Sequence, residues 1–250
     1  MVENIILIIQ ARMNSTRLPG KVLMRVFDKP LLEYLIERVR SVELIDEIFV
    51  ATSENSLDDA ICSFCKTNGV NFFRGSENDV LSRFYHLAKK QNASVVIRVC
   101  ADSPIIDPKI ISEFIYAYLS AKPRVDYLSN TLNQTYPIGM NVEVFSFEAL
   151  KIAYENSSDT YQKEHVTPYI YENPDMFGIC EKHFDAPSNQ LRLTLDYAED
   201  FVVLSRVIKS LYPQNSLFDL EDIITLSKSH PTYFDDNAHR TQTARRMFKY

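Results

Sequence analysis

The first half of the chain alternates between two kinds of segment, and this alternation restricts the available folds more than any other feature. Short, almost wholly apolar runs, NIILII (4–9), EIFVAT (47–52), VNFF (70–73) and SVVIRV (94–99), are separated by PLLEYLIERVRSV, SLDDAICSFCKTN and DVLSRFYHLAKKQ. Apolar runs without polar alternation have no face to offer solvent. They predict parallel strands covered on both sides by the amphipathic helices between them. Right-handed crossovers then give an open, doubly wound α/β sheet. Boundary signals agree: Pro30 near one helix start, Asp107-Pro108 as cap and first turn of another, Asn68-Gly69 as a terminator.

From about residue 123 the rhythm changes. RVDYLSN, MNVEVF, FGICEKHF and LRLTLDY read as strands, several of them antiparallel, with helices FEALKIAYEN and QKEHVTPYIYE between them. EDFVVLSRVIKSLY and LEDIITLSKS close the pattern as helices. No internal repeat and no Pro/Gly/Ser-rich linker interrupts it. The expected organisation is one domain over 1–250, with a nucleotide-binding half (about 1–122), a mixed half (123–235) and a basic tail (236–250).

The charge balance, 33 Asp+Glu against 27 Lys+Arg, argues against a nucleic-acid partner, because such proteins carry a basic face. The tail HRTQTARRMFKY, with Arg240, Arg245, Arg246 and Lys249, is the exception and reads as a solvated end or as a tail folded back on an anionic ligand or a neighbouring subunit. No apolar run approaches the roughly 18 residues of a membrane helix. Ile5–Ile9 is too short for a signal core, so the expected compartment is the cytoplasm. Cys62 and Cys65 form C-x-x-C inside a helical pattern without a second pair at zinc spacing, and read as small apolar helix residues.

Ligands of open α/β sheets collect beyond the carboxyl ends of the strands. Two loops leave that rim: QARMNSTRLPGK after the first strand and CADSPIID after SVVIRV. The first gathers Arg12, Arg17 and Lys21 with Ser15, Thr16 and a Pro-Gly turn, the chemistry of a polyphosphate cradle. It is neither a P-loop nor a dinucleotide fingerprint. Asp102 on the same rim makes sense if Mg²⁺ bridges it to the phosphates. Asp107, before Pro108, is a helix cap and stays outside the site. Asp196 is a second candidate metal ligand, or, with Glu199 three residues on, the capping box of the next helix. His165 is either a substrate ligand or a packed helix histidine.

QARMNSTRLPGKVL, GSENDVLSRFY, RVCADSPIID, IGMNVEVF, EHVTPYI and RLTLDYAEDF occur in the order found in the SpsF-like cytidylyltransferase family, related to the Kdo and acylneuraminate cytidylyltransferases. The resemblance spans about residues 4 to 205. It implies a Rossmann-like nucleotidyltransferase fold of the GT-A type, with a mixed central sheet flanked by helices. It also implies Mg²⁺-dependent transfer of CMP from CTP to an acidic sugar for surface polysaccharide biosynthesis, and a homodimer formed through the second, sugar-binding half. Carried over by position, Arg12, Ser15, Arg17 and Lys21 hold the triphosphate, and Gln10 and Ala11 sit near the base. Asp102 and Asp196 hold Mg²⁺, while Glu143 and His165 lie nearer the sugar. Arg12, Lys21 and Asp102 are the expected catalytic residues. One departure stands out: Kdo enzymes have Gly-Asp-Glu-Pro where this chain has Ala101-Asp102-Ser103-Pro104, so the second carboxylate is missing. The rival readings are a GT-A glycosyltransferase and a non-catalytic nucleotide-binding regulator.

Overall fold

A computed structural model describes residues 3–184 and 190–240. The tail residues Arg245, Arg246 and Lys249 lie outside the described residues.

In chain order the elements are β1 (Ile5–Gln10), β2 (Arg25–Val26), β3 (Lys29–Pro30), α1 (Leu31–Arg40), β4 (Glu47–Ser53), α2 (Asp59–Thr67), β5 (Asn71–Gly75), α3 (Val80–Lys90) and β6 (Val95–Cys100). They continue with α4 (Pro108–Ser120), β7 (Tyr127–Ser129), β8 (Glu143–Ser146), α5 (Phe147–Asn156), α6 (Thr160–His165), α7 (Pro168–Tyr171), β9 (Ile179–Glu181), α8 (Ala198–Leu211) and α9 (Leu220–Ser229). Seven strands form one sheet in the order β5-β4-β1-β6-β8-β7-β9. β5, β4, β1 and β6 are parallel, as the apolar runs predict. β8 then joins β6 antiparallel and pairs antiparallel with β7, and β9 runs parallel to β7. The sheet is therefore mixed, and strands of both halves belong to it.

Alternation along β1 shows why both faces had to be apolar. Leu7 and Ile9 pack in the core layer that includes Leu35 of α1, Phe114 of α4 and Leu204 of α8. Ile6 and Ile8 pack in the opposite layer, with Phe84 of α3 and Leu150 of α5. Residues 6 to 9 are 0% exposed, so no polar side chain could stand there unpartnered. Cys62 and Cys65 are free thiols buried on α2, in keeping with a packing role.

Two segments depart from the expected pattern. LRLTLDY forms no strand of the sheet; it is an extended segment with one isolated bridge, Arg192 to Ile138. Leu193 N donates to Ile138 O at 2.6 Å and Leu195 N to Asp102 O at 2.8 Å, so its partners are rim loops. Its alternating apolar residues, Leu193 and Leu195, are buried as a strand's would be, which is why the pattern reads as one. Gly139 permits the crossing: it has φ +103°, and a Cβ there would stand 2.5 Å from the carbonyl carbon of Leu193. QKEHVTPYIYE is two helices, α6 and α7, broken at Val166 with φ +74° just before Pro168. Proline cannot donate the backbone bond a continuous helix needs there.

Candidate active site

The cationic loop starts where β1 stops. Ala11 N still bonds Ala51 O at 3.1 Å, and the chain then turns around Met13, whose carbonyl accepts from Ser15 N and Gly20 N at 2.9 Å each. Met13 N donates to Asp58 Oδ1 at 2.7 Å, and the other oxygen of Asp58 takes Ser53 N at 3.0 Å. Burial acts to raise the pKa of Asp58, but these donors outweigh it and hold the carboxyl below its ordinary value. Asp58 is thus the buried anchor of the loop. Gly20, at φ +71°, opens a short 3₁₀ turn, Lys21–Leu23, that carries Lys21 inward.

Lys21 lies between the two predicted metal ligands. Its Nζ donates to Asp102 Oδ2 at 3.2 Å, Asp196 Oδ1 at 2.8 Å and Leu195 O at 2.6 Å. Arg17 Nη2 meets Asp196 Oδ1 at 3.0 Å, and its guanidinium lies 5.2 Å from the Tyr197 ring centroid. Burial works against the Lys21 charge, but Asp102 and Asp196 outweigh it and raise its pKa. Arg17 follows the same logic: Tyr197 and Asp196 overcome the cost of burial. The anions beside Arg17 and Lys21 are therefore the chain's own aspartates. Both reach one nitrogen, so they are close enough to share a cation.

Asp196 does not cap the helix that follows it. Tyr197 is the N-cap, and Asp200 in the first turn accepts on its Oδ2 from Asp196 N and Tyr197 N, both at 2.9 Å. Asp200 also takes Arg192 Nε at 2.8 Å and Asn237 Nδ2 at 2.8 Å. The expected box with Glu199 is therefore shifted by one residue, which frees the Asp196 carboxylate to face Lys21. Asp200 is 0% exposed, and although burial opposes its charge, Arg192 and the other donors hold its pKa below the ordinary 3.8.

Removing Asp200 would leave the Arg192 charge, which is 5% exposed, with only its longer 3.4 Å contact to Asp196 Oδ2. Asp200→Ala is expected to cost about 3–5 kcal/mol, a melting temperature lower by on the order of 10 °C, measured by thermal unfolding at pH 7. With its pKa lower folded than unfolded, Asp200 contributes fully above its ordinary 3.8, and that contribution disappears as pH falls through the folded value. The gap between the wild-type and variant melting temperatures should therefore shrink in strong acid.

Beyond the aspartates opens a cavity of about 280 Å³, lined by residues that include Arg98, Cys100, Asn141, Glu143, His165 and Arg192. Glu143 of β8 sits opposite Arg98 of β6 in the register, and the two form a buried ion pair. Tyr127 Oη and Thr167 Oγ1 donate to the other Glu143 oxygen at 2.7 and 2.6 Å, and Arg98 Nη2 donates to Gln10 Oε1 at 2.9 Å. His165 closes α6, its ring 4.4 Å from that of Tyr161 between centroids. Arg12 is half-exposed and reaches Glu164 of α6 at 3.5 Å. Ser15 is buried within its turn, at 8% exposure.

The structure therefore brings Arg17, Lys21, Asp102 and Asp196 to one point. Glu143 and His165 line the adjoining cavity, Gln10 is tied to it through Arg98, and Arg12 reaches across to α6. Ala11 extends the β1 ladder by one bond beneath the loop. Asp107 caps α4, its side chain accepting from Lys109 N at 2.8 Å, as its place before Pro108 predicts. Sequence reasoning missed Asp58, Arg98, Arg192 and Asp200. For Arg98 a signal existed: a lone arginine inside an apolar strand has to be partnered or functional.

With oxygen ligands from two carboxylates and space for phosphate beside them, the set suits Mg²⁺, which commonly takes one or two protein carboxylates plus substrate phosphates. Among the described residues no group of three or more His, Cys, Asp or Glu side chains is gathered to hold a metal without such help.

Comparison with known proteins gives the family. A sequence profile described as cytidylyltransferase matches residues 6–233. The spore coat polysaccharide biosynthesis protein SpsF of Bacillus subtilis is 34% identical over 241 residues, 92% of this chain and 96% of the relative. The 3-deoxy-manno-octulosonate cytidylyltransferase of Geobacter sulfurreducens is 33% identical over 122 residues, 49% of this chain and 48% of that protein. The solved structure of a cytidylyltransferase from Leptospira borgpetersenii superimposes with a TM-score of 0.89 at 31% identity, covering 97% of this chain and all of the other. The chain belongs to the cytidylyltransferase family and has its nucleotidyltransferase fold.

Proposed function

We propose that this nucleotidyltransferase moves CMP from CTP to a hydroxyl of an acidic sugar, releasing pyrophosphate, in surface polysaccharide biosynthesis. The observation that carries the reading is the convergence of Arg17, Lys21, Asp102 and Asp196 on one strand rim at a cavity of about 280 Å³. The identity with relatives named for 3-deoxy-manno-octulosonate and for spore coat polysaccharide supports the substrate class.

In this reading the sugar hydroxyl oxygen forms a bond to the α-phosphorus while the bond from phosphorus to the bridging oxygen of the leaving pyrophosphate breaks. Such chemistry rests on positioning and charge neutralisation. Lys21 and Arg17 hold the triphosphate and stabilise charge on the departing pyrophosphate, with Arg12 at the outer edge of the loop. Ser15 and the loop amides fix the turn that presents them, and Gln10 and Ala11 border the base. Asp102 and Asp196 would hold Mg²⁺, which when bound neutralises and polarises phosphate oxygens. Glu143, His165 and their neighbours face the sugar. The proposed setting is the cytoplasm, with a homodimer as the working form; among the described residues no helix is long and apolar enough to cross a membrane.

A matrix of nucleoside triphosphates against sugars, assayed for pyrophosphate, tests the reading. CTP with a sugar acid should give turnover at least tenfold above CTP alone or the other nucleotides. No pyrophosphate from any pair, with tight CTP binding, would favour a regulator. Turnover of nucleotide sugars instead would favour a glycosyltransferase.

A further inference from the structure

The Asp196 carboxylate meets Lys21, Arg17 and, at 3.4 Å, Arg192 Nη2, but its backbone follows an extended segment outside the sheet. What holds it comes from far along the chain. Past α9, a 3₁₀ turn, Pro231–Phe234, buries Phe234 in the core and delivers Asn237, which is 2% exposed. Asn237 Nδ2 donates to Asp200 Oδ1 at 2.8 Å and to Arg192 O at 3.0 Å. One amide group thus ties the two ends of the Arg192–Asp200 segment together. Asp200, so fixed, bonds the backbone amides of Asp196 and Tyr197. Three residues later Arg240 lies 4.1 Å from the Tyr197 ring centroid and reaches Glu199 Oε1 at 2.7 Å, on the same stretch of chain.

We propose that Asn237 is a positioning residue of the active site: by clamping Asp200 and Arg192 it sets where the Asp196 carboxylate stands. It touches no reacting atom and acts through Asp200. The inference rests on the reading of Asp196 as a metal ligand. Partners one step removed from a metal typically change affinity or activity 10- to 100-fold when lost.

The test compares full-length wild type with Asn237→Ala by amide hydrogen exchange, by Mn²⁺ binding in the presence of CTP (read from the paramagnetic resonance of free Mn²⁺) and by steady-state kinetics. Expected are exchange at the Asp196 and Tyr197 amides faster by about tenfold, with protection of the central strands unchanged. Mn²⁺ affinity should weaken by roughly 10- to 100-fold and kcat should fall more than KM for CTP rises. If Asn237→Ala does not fold, Asn237→Leu keeps nearly the same shape, loses the donor without adding a charge beside Asp200 and carries the same expectation. Wild-type exchange at the two amides overturns the proposal, and so does faster exchange with Mn²⁺ affinity within twofold of wild type. A wild-type protein that binds no Mn²⁺ with CTP removes the metal reading and this inference together, and is told apart because it fails before any substitution.

Discussion

Lys21→Ala should lower the rate of CMP transfer by on the order of 10²- to 10³-fold, the scale on which an oriented transition-state donor acts. The structure gives the physical reason. Lys21 is 8% exposed, and its ammonium is placed by three acceptors from two separate loops. Its three donors are engaged there, so its charge is held at the site in advance and is passed from carboxylate to phosphate oxygens when the nucleotide binds. Alanine also removes the cation between Asp102 and Asp196, so the two carboxylates lose their shared partner. Lys21→Arg should recover little, because a planar guanidinium cannot reproduce a point charge with three converging bonds. Pyrophosphate release under saturating substrates measures the effect, with circular dichroism to check that the fold is kept. A loss below threefold would dismiss the cradle.

The second large effect is expected at Asp102. Asp102→Asn keeps the shape and the backbone bonds that pin this residue, since its carbonyl accepts Leu195 N at 2.8 Å and Thr194 Oγ1 at 3.2 Å. Only the negative charge goes. Lys21 retains Asp196 and Leu195 O, so the loop should stay in place. Turnover should nevertheless fall by on the order of 10²-fold or more, and the Mg²⁺ titration of the residual rate should flatten. The absence of a second carboxylate at Ser103 sharpens this expectation, because no neighbouring side chain in that turn can replace the charge. A Mg²⁺ dependence unchanged from wild type would take Asp102 out of the site.

Much of this arrangement is legible in the chain itself. Four apolar runs separated by amphipathic helices dictate a parallel sheet covered on both faces, because residues such as Ile6 to Ile9 can be buried no other way. The same pattern places QARMNSTRLPGK and CADSPIID on one rim, since both leave strands at their carboxyl ends. Asp107 announces itself as a cap through Pro108. LRLTLDY was not legible in this sense: apolar alternation reports burial on one side, and a segment pressed against rim loops shows the same alternation as a strand in a sheet. The break at Val166 was hidden too, because a valine at positive φ has no signature in composition.

The sequence determined what is local: which segments are apolar, where helices begin and end, and which side chains leave the sheet beside one another. Tertiary structure decided which charge meets which. Lys21 and Asp196 are bonded across 175 positions, Arg98 and Glu143 across 45, and Asn237 and Asp200 across 37. Pairing over such separations depends on how helices stack and loops cross, which no neighbouring residues encode. The two aspartates were visible as candidates for one cation; that a lysine from the opening loop already joins them could only be read once the chain had folded.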